Sequence, residues 1–207
     1  RRERAVNLSV FAYVLSKVLV LALFAIFQAA SVLFVLSLKI DFGFKGIFFE
    51  SGLFELFITL YLGVLASILF GLCISAAVPS SDVVLYMILV QLFVQIILAG
   101  SLFPLKKTMD ENVADALSKV TVGYWVMDAM GSTIDLQKLN ETSVTCVVQP
   151  NPLANGALEP TCSSTPIDMN MKHEHTEGYL MGLWIGLIVH CAVWFGLTTF
   201  LVARQKV

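Results

Sequence analysis

Four long apolar runs, separated by polar stretches, organise this chain. They cover Val10–Leu38, Gly52–Val78, Val83–Leu105 and Gly178–Val202. A helix that crosses a bilayer needs about 20 consecutive, mostly apolar residues, and each run supplies that length. The first is long enough to hold an interfacial turn before a span that starts near Lys17. Only helices and closed barrels satisfy their backbone in lipid, and continuous runs without period-two alternation read as helices. The pattern therefore predicts an all-α integral membrane protein with four transmembrane helices.

The linkers differ in kind. Lys39–Ser51 is short and aromatic ("KIDFGFKGIFFES"). Ala77–Asp82 reads as a tight turn, "AVPSSD": Pro79 stops one helix, and Ser80, Ser81 and Asp82 are candidate caps for the next. Residues 106–177 form a long polar loop before the last span. Within it, "ENVADALSKVTVGYWVMDAM" places Val113, Leu117, Val120, Tyr124 and Met127 at helical spacing. That spacing predicts an amphipathic helix at the membrane surface or dipping into one leaflet. The alternative is a small helix packed on the loop's own core.

Composition agrees with a lipid solvent. Hydrophobic residues make up 57% of the 207 residues and charged ones 14%, against about 25% charged in soluble domains. The mean hydropathy is +0.83. A formal charge of −2 leaves no net basic face for nucleic acid. Lys and Arg also orient the chain. Arg1, Arg2, Arg4, Lys17, Arg204 and Lys206 lie on the side of the termini, and only Lys39 and Lys45 lie in the opposite short loop. The positive-inside rule then places both ends in the cytoplasm and the 106–177 loop outside, in a plasma or inner membrane. Because the chain opens on arginine, it reads as a piece of a longer protein.

An outer loop lies in an oxidising compartment. Cys146 and Cys162 are therefore expected to form a disulfide, with free thiols or an intermolecular bond as alternatives. Cys73 and Cys191 fall inside spans and read as small buried hydrophobes. Asn140 opens a glycosylation triplet on the same outer loop. His173 and His175 make an H-x-H pair without further ligands, so they read as a solvated flank of the last span and no metal site is expected.

Polar residues inside the spans are few. Gln91 and Gln95 share one face of the third span, and Gln28 and Ser31 form a weaker pair on the first. Such residues turn toward a bundle interior, where they either line a translocation path or join helices. Glu55, one turn inside the second span, either snorkels to the outer surface, pairs with a lysine of the short loop, or serves as a proton site. Gly178, Gly182 and Gly186 form a small-residue face on the last span, and His190 and Trp194 follow as packing residues. The sequence has no G-x-x-x-x-G-K-[ST] loop, no G-x-S-x-G elbow and no H-E-x-x-H. No catalytic residues are assigned.

Several stretches, in order, resemble the permease region of ABC-2 type transporters, close to the G subfamily of half-transporters. "RRERAVNLSVFAYVLSK" resembles the cytoplasmic loop and helix start between the second and third family spans. "GLCISAAVPSSDVVLYMILVQLFVQIILAGSLFPL" resembles the fourth and fifth spans with their tight turn. "GYWVMDAM" resembles the re-entrant helices that follow, and the cysteine-bearing loop precedes the last span. The family has six spans, so the resemblance implies that the first two, and the ATPase domain, lie upstream. It also implies two permease halves, as a homo- or heterodimer in membrane lipid, around a cavity switched by ATP and Mg on the ATPase domains. Arg1, Arg2, Glu3 and Arg4 are thereby assigned to ATPase coupling, with Ser80, Ser81 and Asp82 as a second contact. Leu102 and Phe103 are nominated as a hydrophobic gate, against ordinary helix-end packing. The competing reading is a four-span structural or adhesion protein that binds through its outer loop. An intramembrane enzyme is a third, without paired aspartates or a Ser-His set at membrane depth.

Overall fold

The computed structural model describes residues 9–39, 44–78, 80–99, 110–136, 138, 145–150, 158–163 and 173–204. Six helices organise them: α1 (Val10–Ser37), α2 (Gly52–Ala77), α3 (Ser81–Leu98), α4 (Glu111–Val120), α5 (Val122–Thr133) and α6 (Glu177–Arg204). α1, α2 and α6 are each long and apolar enough to cross a membrane. α3 is apolar but shorter over its described length, and residues 100–105 of the expected third span lie outside the described residues.

Helix ends follow local chemistry. Ser9 caps α1 by accepting the Ala12 N–H at 3.3 Å. α2 stops at Ala77, and Val78 is extended, as the residue before a proline tends to be. Ser80 is the N-cap residue of α3 but makes no side-chain cap bond, so the expected hydroxyl cap is absent there. Within the long helices, hydroxyls return to their own backbone: Ser31 donates to the Phe27 carbonyl, Thr198 to Trp194 and Thr199 to Phe195. A polar group surrounded by lipid is satisfied most simply in this way.

α2 is the central helix. It packs most extensively on α6, then on α1 and α5. Its buried positions Glu55, Thr59, Gly63, Ala66, Leu69 and Cys73 recur at steps of three and four, one stripe of a helix. By contrast, α1 and α3 present rows of large exposed apolar side chains, among them Phe24, Phe27, Phe34, Leu85, Tyr86 and Phe93. Such surface is suited to lipid or to another helix.

Two expectations are corrected. The stretch predicted as one amphipathic helix is two, broken at Thr121, whose backbone is extended. The Thr121 hydroxyl and N–H both turn back to the Ser118 carbonyl, ending α4 in a run of β-branched residues that favours the break. Its predicted apolar face, with Val113, Leu117, Val120 and Met127, is exposed, and Ala114, Ser118, Val122 and Ala129 are buried instead. The second correction is a small sheet among described elements that are otherwise helices. β1 (Thr145–Pro150) and β2 (Leu158–Ser163) pair antiparallel, with Cys146 directly opposite Cys162. The cue was the run of β-branched residues around Cys146, too short to show a period.

Candidate functional site

Buried polar contacts join three helices of the bundle. In α2, Glu55 is 0% exposed. One carboxylate oxygen accepts the backbone N–H groups of Phe48 and Phe49. The other has no hydrogen-bond partner among the described residues. Glu55 thus does not snorkel, and no lysine among the described residues pairs with it. Its position one turn inside α2 lets it reach back over the helix start, as the glutamate of a capping box does, and hold the preceding loop. One turn deeper, Thr59 accepts the Trp184 indole N–H of α6 at 2.9 Å. The same indole stacks on Phe48, with ring centroids 5.6 Å apart. The loop, α2 and α6 therefore meet at one indole.

Asp128 of α5 is a second junction. It is 1% exposed. One oxygen accepts the Tyr179 hydroxyl at 2.6 Å. The other accepts the His173 backbone N–H at 3.3 Å and lies 3.1 Å from His173 Nδ1. Because a carboxylate oxygen only accepts, Nδ1 carries the proton in this contact. Four residues on, Ser132 donates to the Glu174 carbonyl at 2.6 Å, and His175 Nδ1 donates to the Ser132 carbonyl at 2.7 Å. The two histidines expected as a solvated flank are thus tied to α5, and His173 is 5% exposed. His173 has φ of 45°, uncommon for a residue with a Cβ. Its ring lies against Gly131, where any Cβ would collide with it.

A third junction resolves the break between α4 and α5. Carbonyls in the last turn of a helix lack intrahelical donors. The Lys119 carbonyl accepts the Trp125 indole N–H at 2.7 Å and faces His190 Nε2 at 3.3 Å. Trp125 in turn lies against Gly186 of α6, and Val126 against Gly63 of α2, leaving no room for a Cβ at either glycine. Gly178 and Gly182 have open space around them among the described residues, so within that set Gly186 is the member of the predicted small-residue face that makes a close contact. Burial pushes the Tyr124 phenol up to about 12, with Asp128 and Asp115 adding to the effect, so Tyr124 stays a neutral hydroxyl at physiological pH.

These contacts make α2, α5 and α6 one stitched unit. α1 joins it through apolar packing that includes an edge-to-face pair of Phe11 and Phe195. α3 packs on α2, α4 and α5 along one side. Its partly covered side carries Val84, Gln91, Gln95 and Leu98, and Gln95 approaches Gly123 at the start of α5. Both glutamines therefore face the bundle, whereas Gln28 of α1 is exposed. Cys73 is buried, Cys191 half-buried, and both are free thiols. Arg1, Arg2, Glu3, Arg4, Leu102, Phe103 and Asn140 lie outside the described residues, and Ser81 and Asp82 begin α3. Sequence reasoning missed Asp128, Thr59, Tyr179 and Trp184. The one available signal was an acid in the apolar run "GYWVMDAM".

The profile of the ABC-2 type transporter family matches residues 1–134, from the chain start through α5. An ABC transporter ATP-binding/permease protein of Mycobacterium tuberculosis, Rv1747, is 30% identical over 140 residues. That alignment covers 67% of this chain and 16% of the relative, so the chain spans a small part of that protein's length. No solved structure matches the chain.

Proposed function

The chain belongs to the ABC-2 type transporter family, and from that premise we propose that it is the permease portion of an ATP-driven exporter, of the G-subfamily kind. Its role as a membrane component of a transporter follows from the family. We infer export, dimerisation and ATPase coupling beyond that. The observation that carries it is the match over residues 1–134, which includes three of the four long helices and the α4–α5 pair. The mycobacterial relative is named for both ATP binding and permease activity, which supports an ATPase partner.

In this reading two permease halves enclose a cavity, and α3, with its exposed apolar side, lines it. The stitched α2–α5–α6 unit moves as a body, because its buried polar contacts are costly to break in a medium without water. Arg1, Arg2, Glu3 and Arg4, with Ser80, Ser81 and Asp82, meet the ATPase domain on the cytoplasmic side. ATP and Mg are held by that domain. Leu102 and Phe103 close the outer end of the path, and α3 with the residues after it is a fourth span.

The same reading makes Cys146 and Cys162 a disulfide of the outer loop. Directly opposed residues of an antiparallel pair have Cα atoms roughly 4.5–5.5 Å apart, inside the range of roughly 4.4–6.8 Å that a disulfide spans. Non-reducing peptide mapping of membrane-inserted protein is expected to recover the two linked. Rapid alkylation that labels both would remove the bond from the proposal.

The test of transport is reconstitution of the natural full-length protein in vesicles, following ATP hydrolysis and substrate movement together. Charge reversal at Arg2 and Arg4 is expected to leave ATP turnover but reduce transport per ATP. Normal ATP turnover with no passage of any member of a broad amphipathic panel would argue against export.

A further inference from the structure

At the end of the bundle where α1 begins and α2 and α6 finish, a cleft of about 190 Å³ opens between the three helices. Tyr13 and Lys17 of α1, Leu72 and Ser75 of α2, and Thr198 of α6 line it. No carboxylate is among the described residues that line it. Lys17 Nζ lies 4.4 Å from the centroid of the Tyr13 ring and has no ion-pair partner among the described residues. The Tyr13 and Ser75 hydroxyls likewise have no hydrogen-bond acceptor among the described residues. Thr198 is spoken for, because it donates to the Trp194 carbonyl.

Among the described residues, therefore, three donors, one of them cationic, share a cleft whose lining offers them neither an acceptor nor a negative group. That chemistry selects an anion. Its place selects which one. Lys17 sits about two turns inside an apolar helix, where a long basic side chain reaches for the headgroup layer while its stem stays in hydrocarbon. Basic pockets between transmembrane helices at this depth suit acidic lipid headgroups. Phe11, Leu15 and Leu19 of α1 and Phe200 of α6 are exposed around the same end, offering an apolar wall for acyl chains that the cleft itself is too small to hold. We propose that this cleft binds the phosphate of an anionic phospholipid, with Lys17, Tyr13 and Ser75 as its donors.

The natural full-length protein, purified in neutral detergent, provides the test. Its thermal midpoint and its lipid retention in native mass spectra are measured with dioleoyl phosphatidylglycerol, dioleoyl phosphatidylcholine or inorganic phosphate. Phosphatidylglycerol is expected to raise the midpoint by roughly 2–4 °C and to be retained. Lys17→Gln should lose most of both effects and Lys17→Arg should keep them. If Lys17→Gln does not fold, the pair Tyr13→Phe and Ser75→Ala serves instead, each reducing retention. Equal stabilisation by phosphatidylcholine, undiminished retention in the variants, or an equal effect of inorganic phosphate would each overturn the lipid site. So would a Lys17→Gln protein that keeps its lipid but loses transport coupling, because the lysine would then serve a protein contact.

Discussion

The Trp184 indole N–H of α6 donates to the Thr59 hydroxyl of α2 at 2.9 Å, fastening the last span to the central one inside the bundle. A hydrogen bond between helices in a bilayer contributes about 0.6 kcal/mol on average. Trp184→Phe keeps a ring against Phe48 but removes the donor, and Thr59→Val removes the acceptor. Each is expected to lower stability, by about 0.5–1.5 kcal/mol. Chemical unfolding of the four proteins of a double-mutant cycle should return a coupling near 0.6 kcal/mol. Strict additivity would mean the bond contributes nothing.

Glu55 holds the loop before α2 through two backbone N–H groups. Glu55→Gln retains one carbonyl oxygen as acceptor, so a loss of roughly 1–2 kcal/mol is expected. Glu55→Leu leaves both N–H groups unsatisfied and should cost more, roughly 2–5 kcal/mol. Unfolding midpoints in detergent would rank them. The reverse order would show that the carboxylate is a burden rather than a tether.

Asp128 gathers Tyr179 and His173 around one buried carboxylate. Hydrogen bonds to charged groups contribute about 1.5–3 kcal/mol. Asp128→Leu is expected to cost at least that much and to loosen α5 from the start of α6. Faster limited proteolysis near residue 173 is the accompanying sign. Tyr179→Phe added to Asp128→Leu should cost little more, because the partner is already gone. A full additional loss would place the tyrosine's contribution elsewhere.

The glycines of α6 separate close packing from open surface. Gly186→Leu drives a side chain into Trp125, and overpacking of this kind typically costs 1–3 kcal/mol or more. Gly182→Leu has open space around it and should leave monomer stability within about 0.5 kcal/mol of the natural protein. Thermal unfolding of the two variants side by side would settle the contrast. Equal losses would mean that Gly182 is covered in the assembled protein.

Run length was legible because the bilayer imposes it. Val10–Leu38, Gly52–Val78 and Gly178–Val202 could be read as spans from hydropathy alone, and their helices start and stop within a few residues of those limits. Each backbone group in lipid must bond within its own segment, so local sequence was sufficient. Pro79 and the serines after it marked a turn for the same local reason. The break at Thr121 was harder, since helical spacing runs straight through "SKVTVGYW" and only the β-branched cluster argued against it.

What the sequence by itself determined was which segments can lie in a membrane, which end carries the basic residues, and the order of motifs that marks the family. Partnership was decided by the tertiary structure. Two of the three readings of Glu55, the snorkelling side chain and the lysine pair, gave way when a loop folded back to place two N–H groups over it. Asp128 and Tyr179 are 51 residues apart, and Thr59 and Trp184 are 125 apart. No period or spacing links such pairs. A polar side chain in an apolar setting must find a partner, so the chain declares the need, and only the packing of α2, α5 and α6 chooses the group that meets it.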